Sequence, residues 1–226
     1  MTKIIDEIHR EVETITIAFI KNSFSLDQNW PVRIDNKIVI GNSQTIAFSL
    51  KYNSYKELYS ELIRNRDYNL KFIDGSLVQM LYEFDKKGKH IIGHILSFYP
   101  NLSEDYLNDA LLINEDDDPD NQISKILNKQ IIPFPLRFDY SQVVREKHPA
   151  SHLTLGNYTN CRIPVSRPIS PKQFILFILN NFYFNTGIKN IDKRFKKLID
   201  NIGSSELSLS FTISDYEKKY LHIHHE

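Results

Sequence analysis

Between residues 136 and 168 the chain places arginine, aspartate and histidine at alternating positions. In L-R-F-D-Y (136–140), Arg137 and Asp139 fall on one side of an extended strand, with Leu136, Phe138 and Tyr140 on the other. The reason is that strand side chains alternate with period two. H-P-A-S-H-L-T-L-G (148–156) likewise sets His152 and Thr154 against Leu153 and Leu155. C-R-I-P-V-S-R-P (161–168) sets Arg162 against Ile163 and Val165, with Ser166 and Arg167 just beyond. If these three strands pair, Arg137, Asp139, His152 and Arg162 share a polar sheet face above an apolar floor.

Such a face suits metal-independent cleavage of a phosphodiester. Cleaving RNA through its 2′-hydroxyl needs acid–base groups that work near neutral pH and a cation for the charge developing on phosphorus; histidine and arginine fill these roles. His152 is the expected acid or base, Asp139 its orienting partner and His148 the second acid–base group. Arg137, Arg162 or Arg167 would hold phosphate, and Tyr140 or Tyr158 would stack on a base. The competing reading is structural: Arg137 and Asp139 form a salt bridge across the sheet, and His152 is its satisfied neighbour.

No metal or cofactor is expected. His148 and His152 have the i, i+4 spacing of ligands on a helix, but Pro149 and the alternating L-T-L argue for a strand, where that spacing loses its meaning. No Glu follows the first His, as a zinc protease would need. His222 and His224 share a strand face and could chelate a metal, although a His-rich terminus is more often simply exposed. Cys161 precedes Arg162, yet a lone strand thiol is usually packing. Asp74 and Glu83 lack the downstream E-x-K of a metal nuclease. The D-D-D-P-D core of the acidic segment lacks the alternation and glycine of a calcium loop. None of the seven glycines sits in a phosphate-binding loop or a nucleophile elbow.

The positioning elements follow from periodicity. Residues 2–24 repeat apolar positions at helical spacing, with acids early and Lys21 late, which predicts an amphipathic helix. A hairpin turning at Asp35-Asn36 and a strand over 45–51 come next. Ser54 with Glu57 forms a capping box opening a second helix. Two strands between Leu70 and Pro100 turn at Lys86-Lys87-Gly88-Lys89. Ser170-Pro171 starts a helix that is apolar nearly all round through Phe184, implying either burial or a partner surface. Residues 189–202 form a further helix, and the last segment reads as a terminal hairpin. The layout is α+β: an antiparallel sheet with helices at the N-terminal, middle and C-terminal regions, in one domain over 1–226.

Formal net charge is zero, so no global field recruits nucleic acid or membrane. Charge is unevenly spread, however. Residues 103–120 hold acids with no Lys or Arg, whereas 137–197 are rich in both. No apolar run reaches the roughly 20 residues of a membrane span. A single cysteine and an acidic, amphipathic start set the expectation of a cytoplasmic location with no membrane partner.

The strings D-G-S-L-V-Q-M-L-Y-E-F (74–84), F-Y-P (98–100), L-R-F-D-Y (136–140) and H-P-A-S-H-L-T-L-G through R-P-I-S-P (148–171) resemble a bacterial family of unknown function. Its members are single-domain proteins of similar length, and the resemblance assigns no role to any residue. A weaker likeness is to small toxins of toxin–antitoxin pairs. The leading expectation is therefore a cytoplasmic protein acting on RNA, a ribonuclease-like toxin or defence component. The alternative is a non-enzymatic interaction subunit of a defence or toxin–antitoxin complex, holding a protein partner through the 174–184 helix or the acidic 103–120 segment.

Overall fold

A computed structural model describes residues 3–41, 54–101, 134–143, 148–156, 161–183 and 189–224, the last range without 205, 206, 208, 216 and 220. Helix α1, Ile4–Lys21, buries Ile5, Ile8, Val12, Ile15 and Phe19 along one stripe. Each such side chain contributes on the order of 2 kcal/mol. Asp6 and Glu7 in its first turn and Lys21 in its last complement the helix dipole.

The stripe packs on an antiparallel sheet. Its strands are β1 (Ser25–Gln28), β2 (Pro31–Ile34), β3 (Lys37–Ile40), β4 (Leu70–Phe72), β5 (Leu77–Phe84), β6 (Ile91–Tyr99), β7 (Leu136–Ser141), β8 (Ser151–Leu155) and β9 (Ile163–Pro164). The order is β1-β4-β5-β6-β7-β8-β9, and the β2–β3 hairpin joins the far end of β5 through Lys37 opposite Glu83. Helix α2, Tyr55–Asn65, opens on the Ser54–Glu57 capping box. It buries Leu58 and Leu62 with Tyr68, Leu77 and Tyr99, a smaller cluster separate from the main core. Among the described residues no helix is long and apolar enough to cross a membrane. The architecture is α+β, as expected.

Helix α3, Pro171–Ile178, starts at Ser170, whose hydroxyl accepts the Gln173 N–H, with proline in the first turn. The buried Glu11 of α1 reaches the same helix start, its Oε2 accepting the Lys172 N–H at 3.2 Å. The α-helix stops at Ile178 and passes into a π-helical turn, Leu179–Tyr183. Phe174, Ile175, Ile178, Leu179 and Tyr183 are buried, and Leu176, Phe177 and Phe182 pack against the same core. Most of the apolar girth of this segment is thus taken up inside the chain over 174–183, the burial alternative of the two expected, and Phe184 lies outside the described residues. Helix α4, Lys189–Ile202, buries Phe195, Leu198 and Ile202.

The expected terminal hairpin does not form among the described residues. Ile223 instead makes a parallel bridge to Val165, and the Thr212 N–H donates to the Ser166 carbonyl at 2.9 Å. The terminal segment therefore closes on the stretch just after β9 rather than on itself. The strand expected at 45–51 and the acidic segment 103–120 lie outside the described residues.

Candidate functional site

The strand parity read from the sequence is realised in register. Arg137 faces Ser97 on β6 and Thr154 on β8, while Asp139 faces Ile95 and His152. Directly opposed residues share a sheet face, so Arg137, Asp139, His152 and Thr154 lie together. Leu136, Phe138, Tyr140 and Leu153 point into the main core on the other side. Leu153 pairs with Ile163, so continuing that register sets Arg162 beside Thr154 on the polar face.

Arg137 Nε donates to Asp139 Oδ2 at 2.7 Å. The same oxygen lies 3.7 Å from His152 Nε2, beyond hydrogen-bond distance. The Arg137 and Asp139 side chains are 26% and 19% exposed, and that of His152 is 6% exposed. On its other side, His152 Nδ1 is 3.2 Å from the Pro149 carbonyl oxygen. His148 Nδ1 stands 3.1 Å from that oxygen as well, and the two rings meet edge to face at 4.7 Å. A carbonyl only accepts, so both rings donate through Nδ1–H and both Nε2 atoms are left as acceptors.

Burial pulls the His152 pKa down to about 4. Asp139 and the Pro149 carbonyl pull it upward; His148 and the exposed Arg162 add to the lowering. His152 is therefore a neutral imidazole at pH 7.

Two other expected members of the site are placed elsewhere. Tyr140 is buried on the core face with its ring 5.6 Å from His94, so no stacking surface is presented beside His152. Arg167 is also buried, and its guanidinium lies 3.9 Å over the Phe211 ring, with its charge directed to the C-terminal segment rather than to the polar face. Tyr158 lies outside the described residues. His224 stacks on Phe211 with the rings 10° apart. Among the described residues no three His, Cys, Asp or Glu side chains gather as a metal-ligand set.

A second buried polar cluster lies at the opposite end of β5. The Asp74 carboxylate accepts the Ser76 N–H, the Ser76 hydroxyl and the Tyr183 hydroxyl, at 2.9, 3.0 and 2.8 Å. Burial raises its pKa against these donors. Asn101 Nδ2 donates to the Asp74 carbonyl at 3.0 Å, and the Tyr59 hydroxyl donates to the Gly75 carbonyl at 2.6 Å. Glu83, far along β5, is paired with Lys37 at 3.4 Å, so Asp74 and Glu83 do not form a carboxylate pair. The sequence signal for this cluster is the D-G-S turn itself; its tyrosine partner, 109 residues away, carries no local mark.

A family model described as Uncharacterized conserved protein (DUF2290) matches residues 24–225. The chain belongs to this family. That span takes in both the Arg137–Asp139–His152 face and the Asp74 turn of the DUF2290 chain. No curated protein and no solved structure matches it.

Proposed function

We propose that this DUF2290 chain cleaves RNA without a metal, at the polar face where β7 and β8 meet. The observation that carries the reading is the histidine pair: two imidazoles in edge contact, both donating through Nδ1–H to the Pro149 carbonyl, which leaves each Nε2 as the atom that takes up or gives off a proton. A neutral His152 accepts the 2′-hydroxyl proton, and the 2′-oxygen attacks phosphorus. The P–O5′ bond breaks, and a protonated His148 delivers its proton to the leaving 5′-oxygen. Arg162, exposed just ahead of β9, and Arg137, partly exposed, oppose the charge on the phosphorane oxygens. Such a protein acts as a cytoplasmic toxin or defence component.

The test is incubation of a labelled single-stranded RNA with purified protein in a chelator, scored for 2′,3′-cyclic phosphate ends. Wild type should generate them, and His148→Ala and His152→Ala should each reduce the rate by at least a hundredfold. An intact substrate with wild type overturns the reading.

A second reading has its own support. The Arg137–Asp139 pair is mutually satisfied at 2.7 Å and His152 is 6% exposed, which suits a structural brace in a non-enzymatic interaction subunit. In that case Asp139→Ala lowers thermal stability, because it removes the carboxylate from a partly buried guanidinium, while wild type leaves RNA intact.

A further inference from the structure

Two turns and the start of β8 share one rim of the sheet. Lys37 is opposite Glu83 and Phe84 opposite Ile91, so the β2–β3 turn at Asp35–Asn36 meets the β5–β6 turn at 85–90. Gly93 is opposite Ser141 and Tyr140 opposite Ser151, which brings His148, just ahead of β8, to the same rim. Two to three strand spacings of ~4.8 Å separate the β5–β6 turn from the start of β8, roughly 10–15 Å along it.

Between the two turns and the start of α1 lies a cleft of about 290 Å³, lined by Lys3, Arg33, Asp35, Asn36, Lys86 and Lys87 among others. Its cations are not all committed. Arg33 pairs with Asp6 at 2.9 Å. The Asp85 carboxylate accepts the Lys89 and His90 N–H groups at 2.6 and 3.1 Å, so it braces the turn. Lys3, Lys86 and Lys87 make no ion pair among the described residues. The turn bearing Lys86 and Lys87 is also tied to α1, because the Gly88 carbonyl accepts the Ile5 N–H at 3.2 Å. Three ammonium groups without an ion pair thus stand around a concave, anchored space whose lining holds one carboxylate, Asp35.

We propose that this cleft is a docking subsite for the backbone of single-stranded RNA, holding phosphates of a strand that continues over the rim to His148. The identity of the strand rests on the phosphodiester reading of the histidine pair. Ammonium groups act as point charges that suit phosphate oxygens, and with the cleft's Arg33 already engaged by Asp6 the attraction offered to a strand is that of the lysines. The cleft opens on the α1 side of the rim, and Asp139 and His152 face the other side. The strand therefore bends across the turns rather than lying flat on the sheet.

Fluorescence anisotropy with a labelled 12-nucleotide single-stranded RNA tests this, comparing wild type, Lys86→Glu/Lys87→Glu and the control Lys56→Glu on α2. The double variant should bind about tenfold more weakly, and its log K against log salt should be shallower by roughly 1.4, at ~0.7 for each phosphate that is no longer neutralised. Lys56→Glu should bind like wild type. Cleavage of a dinucleotide, which fills only the histidine site, should keep its wild-type rate in the double variant. Binding and salt slope unchanged in the double variant overturn the subsite, as does equal weakening in the control or tighter binding of polyglutamate than of RNA. If wild type fails to cleave any RNA while the anisotropy differences persist, the histidine reading falls and the docking subsite stands.

Discussion

Asp139 and His152 are direct partners across the β7–β8 ladder, yet the carboxylate Oδ2 stands 3.7 Å from the imidazole Nε2. That oxygen is committed to Arg137 at 2.7 Å. The neighbouring charge pulls the imidazole pKa upward, but burial outweighs that pull and the pKa falls to about 4. Proton affinity at this face is set by the exclusion of water more than by the ion pair.

One consequence is a pH-dependent stability. His152 binds a proton at about 4 in the folded chain and near 6.5 when unfolded. Between these values the unfolded state holds more protons, so stability rises with pH and is lost as pH falls from 6.5 toward 4. The loss reaches at most about 3 kcal/mol. Asp74, whose pKa is raised by burial, acts with the opposite sign, since its folded form takes up a proton first as pH falls. Urea unfolding of wild type beside His152→Leu, which share Asp74, isolates the histidine. Wild type should lose more stability than the variant between pH 7 and pH 4.5; parallel curves contradict the burial account.

The partners of His152 should move its titration in opposite directions. Asp139 raises its pKa and His148 lowers it. Asp139→Asn should shift the imidazole proton resonance midpoint to lower pH, and His148→Ala should shift it to higher pH, by several tenths to one pH unit each. Movement in the same direction in both variants would show that the ring is not placed between them as described.

Much of the polar face is legible in the sequence because strand parity is a local property. Arg137 and Asp139 are separated by two, as are His152 and Thr154, and pairing in register needs only their alternation. The capping box at Ser54 and the Ser170-Pro171 helix start are legible for the same reason, since each lies within four residues; the Gln173 half of a second box comes only with the structure. What the sequence hides depends on distant contacts. Arg167 reads as a phosphate ligand because nothing near it in sequence announces Phe211, whereas the inward direction of Tyr140 is already set by its parity opposite Arg137. The segment after Pro171 is apolar nearly all round, and only the packing of α1, α4 and the sheet decides which of its sides face inward.

The Arg167–Phe211 contact should hold the C-terminal segment in place. The guanidinium lies 3.9 Å over a ring that is 58% exposed, a cation–π contact contributing about 0.5–1 kcal/mol at such a site. Phe211→Ala should change global stability by no more than that. Amide exchange at Thr212 and Ser166, whose N–H groups donate to the Ser166 and Ile223 carbonyls, should quicken severalfold while exchange in β5 and β6 stays slow. Unchanged exchange at both amides would mean that the bridge at Ile223 secures the segment without the ring.

Gly75 is the position where the Asp74 turn has least tolerance. Its φ is +87°, a conformation that a residue with a Cβ adopts only under strain. A Cβ there would lie 3.0 Å from Asn101 Cγ and closer still to Nδ2, the atom that donates to the Asp74 carbonyl. Gly75→Ala should therefore cost about 2–4 kcal/mol, from backbone strain together with a displaced hydrogen bond. Asn101→Ala alone should cost about 1–2 kcal/mol through removal of the donor. The two costs share a cause, because removing the amide also removes the obstacle to the new methyl group. The double variant should then be less destabilised than the sum of the single ones by at least about 0.5 kcal/mol in urea unfolding, the coupling expected of residues in contact. Strict additivity would place the cost of Gly75→Ala in the backbone alone and remove Asn101 from the account.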